Sequence, residues 1–205
     1  MKATRSYRSR NRAMGAQHTR ERIVTAVREL MREQRFHEST VEQVAERAGV
    51  SRATVYQHFR SRIDLVDAIC ETFDANPALI ELRRAIMLPD PQAALVRTIA
   101  LAMRFWESED AILSGLYGVV AIDPAARDLV DRQRADRRGE MRRLAQRLHA
   151  TGTLRAGISA ARALDVLMVL TSYETYRELR EAGRSAKRLT AELETMARAL
   201  LLPSL

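Results

Sequence analysis

Cysteine, proline and glycine are scarce in this chain of 205 residues, which contains one, five and eight of them respectively. The single cysteine, Cys70, excludes an internal disulfide and a cysteine-based zinc cluster. Its place on an apolar helix face favours a small buried hydrophobe over a redox-sensing thiol. The four histidines lie far apart without metal-ligand spacing, and no phosphate loop or nucleophile elbow is present. We therefore expect no catalytic residues, no metal and no cofactor.

Long apolar runs and strand patterns are also missing. The longest uncharged stretch, AILSGLYGVVAI at 111–122, is shorter than the ~20 residues that a membrane-spanning helix requires. Residues 1–22 lack the apolar core of a secretory signal, so we expect a cytoplasmic protein without a membrane partner. No alternating apolar pattern or Asn-Gly turn indicates a sheet. The chain instead has long stretches rich in Ala, Leu, Arg and Glu. Within them the apolar residues recur every three or four positions, which predicts an all-α fold.

Positive charge is concentrated at the start of the chain. The formal net charge is +8; residues 1–62 hold 14 Lys and Arg against 6 Asp and Glu, whereas residues 63–205 hold 20 of each. This asymmetry favours contact between the first third and a polyanion. Residues 1–18 are predicted to be a disordered basic arm, which either contacts DNA or is merely solvated. Its basic residues are Lys2, Arg5, Arg8, Arg10 and Arg12.

Two short helices follow a first helix that is predicted over about 19–34. Thr40 begins Thr-Val-Glu-Gln, the pattern of a capping box, and predicts a helix over 41–48. Gly49 stands where that helix ends with a positive φ, and Ser51 is placed to cap the next helix. Small Ala45 allows the two helices to cross closely. Together these features predict a helix-turn-helix, with an ordinary helical hairpin as the alternative.

Further helices are predicted along the remaining chain. Ser61 begins a helix over 61–74 that bridges the charged head and the neutral body, after which NPALI and LPDPQ interrupt the pattern. The later helices are expected near 92–107, 109–120, 125–150, 160–182 and 186–202. The arginine-rich run at 131–147 is interpreted as a solvated helix face rather than as a second nucleic-acid patch.

The stretch TVEQVAERAGVSRATVYQHFRSRIDLV, residues 40–66, resembles the DNA-binding signature of TetR-family transcriptional regulators. The helix before it, RERIVTAVRELMREQRF, is similar to the first helix of that family. Arg35 and Arg62 depart from the pattern, since the family usually has glycine and lysine there. The resemblance implies a basic arm over 1–18, an N-terminal three-helix helix-turn-helix domain over 19–65, and a helical effector-binding and dimerisation domain over 66–205.

A helix at 51–58 in the major groove would present its first turns to base edges. Arg52 can donate two hydrogen bonds to guanine, and Gln57 can form hydrogen bonds with adenine. Ala53 and Thr54 can contact the methyl group of thymine. The resemblance places these four residues at the bases, and the cap Ser51 is counted among the DNA-binding residues. It assigns Thr40, Tyr56, His58 and Arg62 to phosphates, which fix the register. Two alternatives stay open: Tyr56 is a half-buried core aromatic, and His58 is a neutral histidine that packs in the core.

The body of the chain resembles a sensor domain. Among its aromatic and methionine residues we expect some to line an effector cavity: Met103, Trp106, Tyr117, Met168 and Tyr173. Arg104, Glu107, Glu109 and Asp110 are expected on a solvated face. The chain is thus predicted to be a repressor that binds a near-palindromic operator as a homodimer and is released by a small molecule. The alternative is a helical protein-interaction module with only nonspecific DNA affinity.

The last helices, 170–201, resemble the pair that forms the dimer interface in the family. Apolar side chains recur there at helical spacing and fit either a dimer seam or the core of one chain. They are Leu164, Leu167, Met168, Leu189, Leu193, Met196 and Leu200.

Overall fold

The computed structural model describes the backbone of residues 3–203 and the side chains of residues 13–203. Across these residues the chain forms ten α-helices, one 3₁₀ turn at Phe36–Glu38 and no strand, which confirms the all-α prediction. The helices are α1 Ala3–Arg32, α2 Val41–Ala48, α3 Arg52–His58, α4 Arg62–Phe73, α5 Pro77–Ala85, α6 Pro91–Ile122, α7 Pro124–Ala150, α8 Ala160–Leu170, α9 Tyr173–Glu181 and α10 Ala186–Leu201.

The chain divides into two compact units that do not follow the linear order of the sequence. The first unit takes in the chain through Thr72 together with Ala111–Val130, and the second takes in Phe73–Asp110 and the chain from Asp131 onward. The sequence had placed everything after residue 65 in one body domain. Charge and motifs gave no signal for Ala111–Val130 in the first unit, and the functional domain bounds stay a prediction.

The first helix starts earlier than the sequence predicted. Residues 3–18 were expected to be a disordered arm, but α1 begins at Ala3. Thr19 was the predicted start, yet its hydroxyl donates to the carbonyl of Gly15 at 2.9 Å, as a threonine inside a helix does. The stretch contains no proline and only one glycine, so nothing in it terminates a helix. The side chains of the arm's basic residues lie outside the described residues.

Three later boundaries also differ from the prediction. NPALI is the start of a helix, because the Asn76 side chain accepts from the Ala78 amide and Pro77 occupies the first turn. The predicted break near 108 is absent, and α6 runs continuously over Pro91–Ile122. The predicted helix over 160–182 is interrupted at Ser172, whose hydroxyl caps α9.

The core of the first unit is the apolar face of α1 closed by α2, α3 and α4. Ile23, Val27 and Met31 are fully buried, as are Val66 and Ile69 of α4. A close backbone approach joins α1 to the later segment of this unit, since a Cβ atom on Gly115 would lie 2.3 Å from the carbonyl oxygen of Met31. Cys70 is buried, as predicted.

The second unit buries part of the apolar series on its last helices. Leu164, Leu167, Leu189 and Leu193 are core residues of the single chain. Met196 and Leu200 remain 46% and 45% exposed, so the series divides between core and surface. Val169, which the series did not include, is 60% exposed. In the part of the chain that the structure describes, no helix has the length and apolarity to cross a membrane.

Candidate nucleic-acid interface

Hydrogen bonds hold both ends of α2, the first helix of the predicted helix-turn-helix. The Thr40 hydroxyl accepts from the Gln43 amide at 3.3 Å, and the Gln43 side chain accepts from the Thr40 amide at 2.8 Å, which is the predicted capping box. Gly49 ends α2 with φ +63°. Arg22 of α1 donates to the carbonyls of Ala48 and Gly49 at 2.6 and 2.8 Å, so α1 holds the carbonyl end of α2 beside the turn.

Ser51 determines where α3 begins. Its hydroxyl accepts from the Thr54 amide at 3.0 Å and lies 2.8 Å from the Thr54 hydroxyl. Val55 and Phe59 are buried beneath the helix, and the guanidinium of Arg20 lies over the Phe59 ring at 5.2 Å. Capping and packing therefore set both the start of α3 and the face that it turns outward.

The outward face of α3 carries four of the residues that were predicted to contact bases or phosphates. Arg52, Ala53, Tyr56 and Gln57 are exposed, and at the helical period they fall within an arc of about 140°. Thr54 and His58 are half-buried and lie outside this arc. Tyr56 is 41% exposed, which argues against the interpretation of it as a core aromatic. The structure thus brings these side chains together on one surface.

Arg52 is held by two neighbours. Its Nη1 lies 2.6 Å from Oε1 of Glu42 on α2, and its guanidinium carbon lies 5.4 Å from the centre of the Tyr56 ring. A hydrogen bond with Tyr56, and secondly the charge of Glu42, raise the pKa of Arg52 above its ordinary value. Sequence reasoning missed Glu42, which lies two residues after the capping Thr40 and meets the first residue of α3.

Arg62 has a structural role that the sequence did not indicate. Its guanidinium donates to the backbone carbonyls of Phe36 and Ser39 and covers the Phe36 ring at 4.2 Å. Burial lowers the pKa of Arg62, against an opposing effect of Asp123. Its predicted phosphate contact stays a prediction, and the side chain ties the start of α4 to the turn before α2.

The predicted effector residues fall in both units. Met103 and Tyr173 are buried, Trp106 and Met168 are half-buried, and all four lie in the second unit; half-buried Tyr117 belongs to the first unit. The Trp106 and Tyr173 rings have centroids 5.6 Å apart. The Trp106 indole donates to the Thr171 carbonyl at 3.0 Å, and the Tyr173 hydroxyl donates to Asp110 at 2.8 Å.

Polar and aromatic residues that the sequence did not single out complete this cluster. The Tyr176 ring stacks on Tyr173 at 6.1 Å, and burial, assisted by Asp110, raises the pKa of Tyr176. Arg137 donates to the Met168 carbonyl and the Thr171 hydroxyl at 3.3 and 3.1 Å. Tyr173 and Tyr176 are three residues apart, so a helical spacing of aromatics was the available signal.

The acidic residues beside this cluster were wrongly expected on one solvated face. Glu109 is buried and accepts from the Asn76 side chain at 3.0 Å, and Asp110 is half-buried against Tyr173. Arg104 and Glu107 are exposed. The helical period alone could not tell the buried acids from the exposed residues. The partners of the two acids are Asn76, which caps α5, and Tyr173 of α9. No group of three His, Cys, Asp or Glu suited to a metal occurs among the described residues.

In comparisons with known proteins, the segment that contains α2 and α3 matches a family of regulators. Residues 23–69 match the family model described as bacterial regulatory proteins, tetR family. Over 61 residues the chain is 36% identical to the HTH-type transcriptional regulator SrpR of Pseudomonas putida, a match that covers 30% of this chain and 29% of SrpR. The match spans less than half the length of each curated relative.

Solved structures match nearly the whole chain. NalD of Pseudomonas aeruginosa, the secondary repressor of the MexAB-OprM multidrug efflux pump, superposes with a TM-score of 0.69 at 20% identity, covering 94% of this chain and 100% of NalD. A transcriptional regulator from Saccharomonospora viridis in complex with choline superposes with a TM-score of 0.72 at 16% identity, covering 90% and 98%. These likenesses show that the chain has the fold of these solved structures.

Proposed function

The chain belongs to the TetR family of bacterial regulatory proteins, and on that premise we propose that it is a ligand-responsive transcriptional repressor. The observation that carries the proposal is the capped helix α3, which presents Arg52, Ala53, Tyr56 and Gln57 on one exposed arc. Exposed polar side chains on a short helix beside a fixed turn are what major-groove recognition requires.

The proposed complex separates base contacts from phosphate contacts. Arg52 donates two bonds to guanine, Gln57 pairs with adenine, and Ala53 and Thr54 approach a thymine methyl. Thr40, Tyr56, His58 and Arg62 bind phosphates and fix the register. The Thr40 cap supports this division, because its oxygen accepts from the Gln43 amide and its hydroxyl can still donate to a phosphate.

A homodimer is the proposed assembly. Val169, Met196 and Leu200 expose apolar surface on α8 and α10, and burial of such a surface is the expected driving force for association. Two copies related by a two-fold axis would read half-sites ~34–36 Å apart or a multiple of that spacing. Sedimentation of the intact protein should give a dimer at micromolar concentration, whereas Met196→Glu should shift it toward monomer. A monomeric parent protein would contradict this part of the proposal.

The proposed effector site is the aromatic cluster of the second unit around Trp106 and Tyr173, with Met103 and Met168. Its support is the group of half-buried and buried rings, together with the choline bound by the related regulator from Saccharomonospora viridis. Tyr117 belongs to the first unit and is not part of this proposed site. Effector and DNA would weaken each other's binding by the same factor, because the linkage between two sites is reciprocal.

The experiment that tests the function is selection of DNA by the intact protein from duplexes with a randomised centre. Enrichment of a near-palindromic sequence, with binding reduced at least tenfold by Arg52→Ala and by Tyr56→Ala, is the expected result. Binding without sequence enrichment, and insensitive to both substitutions, would instead favour the alternative of a helical interaction module with nonspecific DNA affinity.

A further inference from the structure

The ion pair between α2 and α3 adds a residue to the recognition surface. Glu42 lies in the first turn of α2, and its carboxylate meets the Arg52 guanidinium at 2.6 Å although both side chains are more than half exposed. The pair therefore joins a residue outside the recognition helix to the residue assigned to guanine. Resting on the proposed function, we infer that Glu42 is a specificity-determining residue that acts by positioning Arg52.

The geometry allows Arg52 to keep this partner while it reads a base. A guanidinium presents five N–H donors in a fixed fork, and the bond to Glu42 involves only Nη1. The donors on Nη2 and Nε suffice for a bidentate contact with guanine N7 and O6. The Tyr56 ring lies under the same guanidinium at 5.4 Å, so two neighbours restrict its rotamers before DNA arrives and reduce the entropy lost on binding.

Glu42 also disfavours nonspecific contacts between Arg52 and DNA phosphates. A solvated arginine binds any phosphate, which supplies affinity without sequence information. A carboxylate fixed at 2.6 Å from the guanidinium repels a phosphate that approaches the same group, whereas the neutral edge of a guanine is not repelled. The pair thus lowers nonspecific affinity more than specific affinity, which is how repulsive elements generate specificity.

The test compares Glu42→Gln with Glu46→Gln in the intact protein. Both substitutions remove one negative charge from α2, but Glu46 has no ion pair with Arg52 among the described residues. The probes are a duplex selected by the parent protein from a randomised pool and a scrambled duplex of equal composition. We expect Glu42→Gln to lower the ratio of selected to scrambled affinity by roughly two- to fivefold more than Glu46→Gln, the range for an exposed ion pair.

Three further variants distinguish positioning from helix stability. Glu42→Asp keeps the charge at the start of α2 but shortens its reach, and we expect it to lose discrimination while its unfolding midpoint stays near that of the parent. In an Arg52→Ala background, Glu42→Gln and Glu46→Gln should change the ratio equally.

The outcomes separate this inference from the proposed function. Equal ratios for Glu42→Gln and Glu46→Gln, or a difference that persists after Arg52→Ala, would overturn the role of Glu42 alone. A parent protein that enriches no sequence from the pool would instead overturn the proposed function on which the inference rests.

Discussion

At the turn between α2 and α3, one backbone conformation and one arginine side chain hold the two helices of the motif together. Gly49 adopts φ +63°, and a Cβ atom there would lie 2.6 Å from Nη2 of Arg22. The same Arg22 nitrogen bonds the carbonyls of Ala48 and Gly49. An added methyl group would therefore strain the backbone and displace the arginine that satisfies the end of α2.

We expect Gly49→Ala to lower the free energy of unfolding by about 1–2 kcal/mol, the cost of a left-handed conformation in a residue with a side chain. Gly15→Ala is the matched control, because Gly15 lies inside α1 with open space around it and the change should stabilise the protein by up to ~1 kcal/mol. Urea unfolding monitored by circular dichroism measures both. Equal effects of the two substitutions would contradict the assigned role of the turn.

Arg62 gives a second prediction at the scale of a single residue. Its guanidinium serves two carbonyls and covers the Phe36 ring, and a lysine ammonium cannot reproduce this planar arrangement. Arg62→Lys should therefore destabilise the protein by about 1–3 kcal/mol, because carbonyls lose their partner. Thermal unfolding of Arg62→Lys beside Arg60→Lys, at an exposed neighbour, measures the difference. If both variants unfold at the parent temperature, Arg62 does not hold the turn.

Among the helices, the sequence predicted those whose ends carry their own signals. The bounds of α2 and α3 followed from Thr40, Gly49 and Ser51, which act through hydrogen bonds within a few residues. The start of α1 was missed because the basic, acid-free composition of residues 1–18 predicted a disordered arm, whereas Thr19 lies inside the helix and bonds back to Gly15. Likewise, Arg52 pairs with Glu42 of α2, and Tyr173 bonds Asp110 of α6. Arg62 bonds carbonyls of the turn before α2. These contacts join separate segments of the chain, so no local pattern could indicate them.

The approach of α6 to α1 in the first unit yields a prediction at the scale of helices. A Cβ atom on Gly115 would meet backbone atoms of Met31, which cannot rotate away as a side chain can. Gly115→Ala should therefore cost about 1–3 kcal/mol of stability, as overpacking does, despite the better helix propensity of alanine. In contrast, Gly118→Ala on the same helix meets no atom within 4 Å and should be neutral or stabilising.

Chemical denaturation of these two variants and the parent gives the comparison. A Gly115→Ala protein as stable as Gly118→Ala would mean that the two helix backbones separate without cost, and the close approach would then contribute nothing to the fold.

For the whole molecule, the uneven distribution of charge should control the salt dependence of DNA binding. The first 62 residues carry the entire excess of positive charge, and the logarithm of a DNA-binding constant falls with the logarithm of salt concentration in proportion to the phosphates neutralised. Deleting residues 2–12 removes five basic residues and no acid. If the arm contacts DNA, the deletion should weaken binding and flatten this slope.

The matched control removes positive charge from the second unit, where Arg132, Arg142 and Arg143 lie exposed on α7. Replacing these three arginines by glutamine should leave the slope close to that of the parent, because counterion release depends on charges at the phosphates and not on net charge. Fluorescence anisotropy titrations over a range of salt concentrations measure both slopes. An unchanged slope after the deletion would reject the arm as a DNA contact, whereas equal flattening by both changes would mean that net charge alone drives binding.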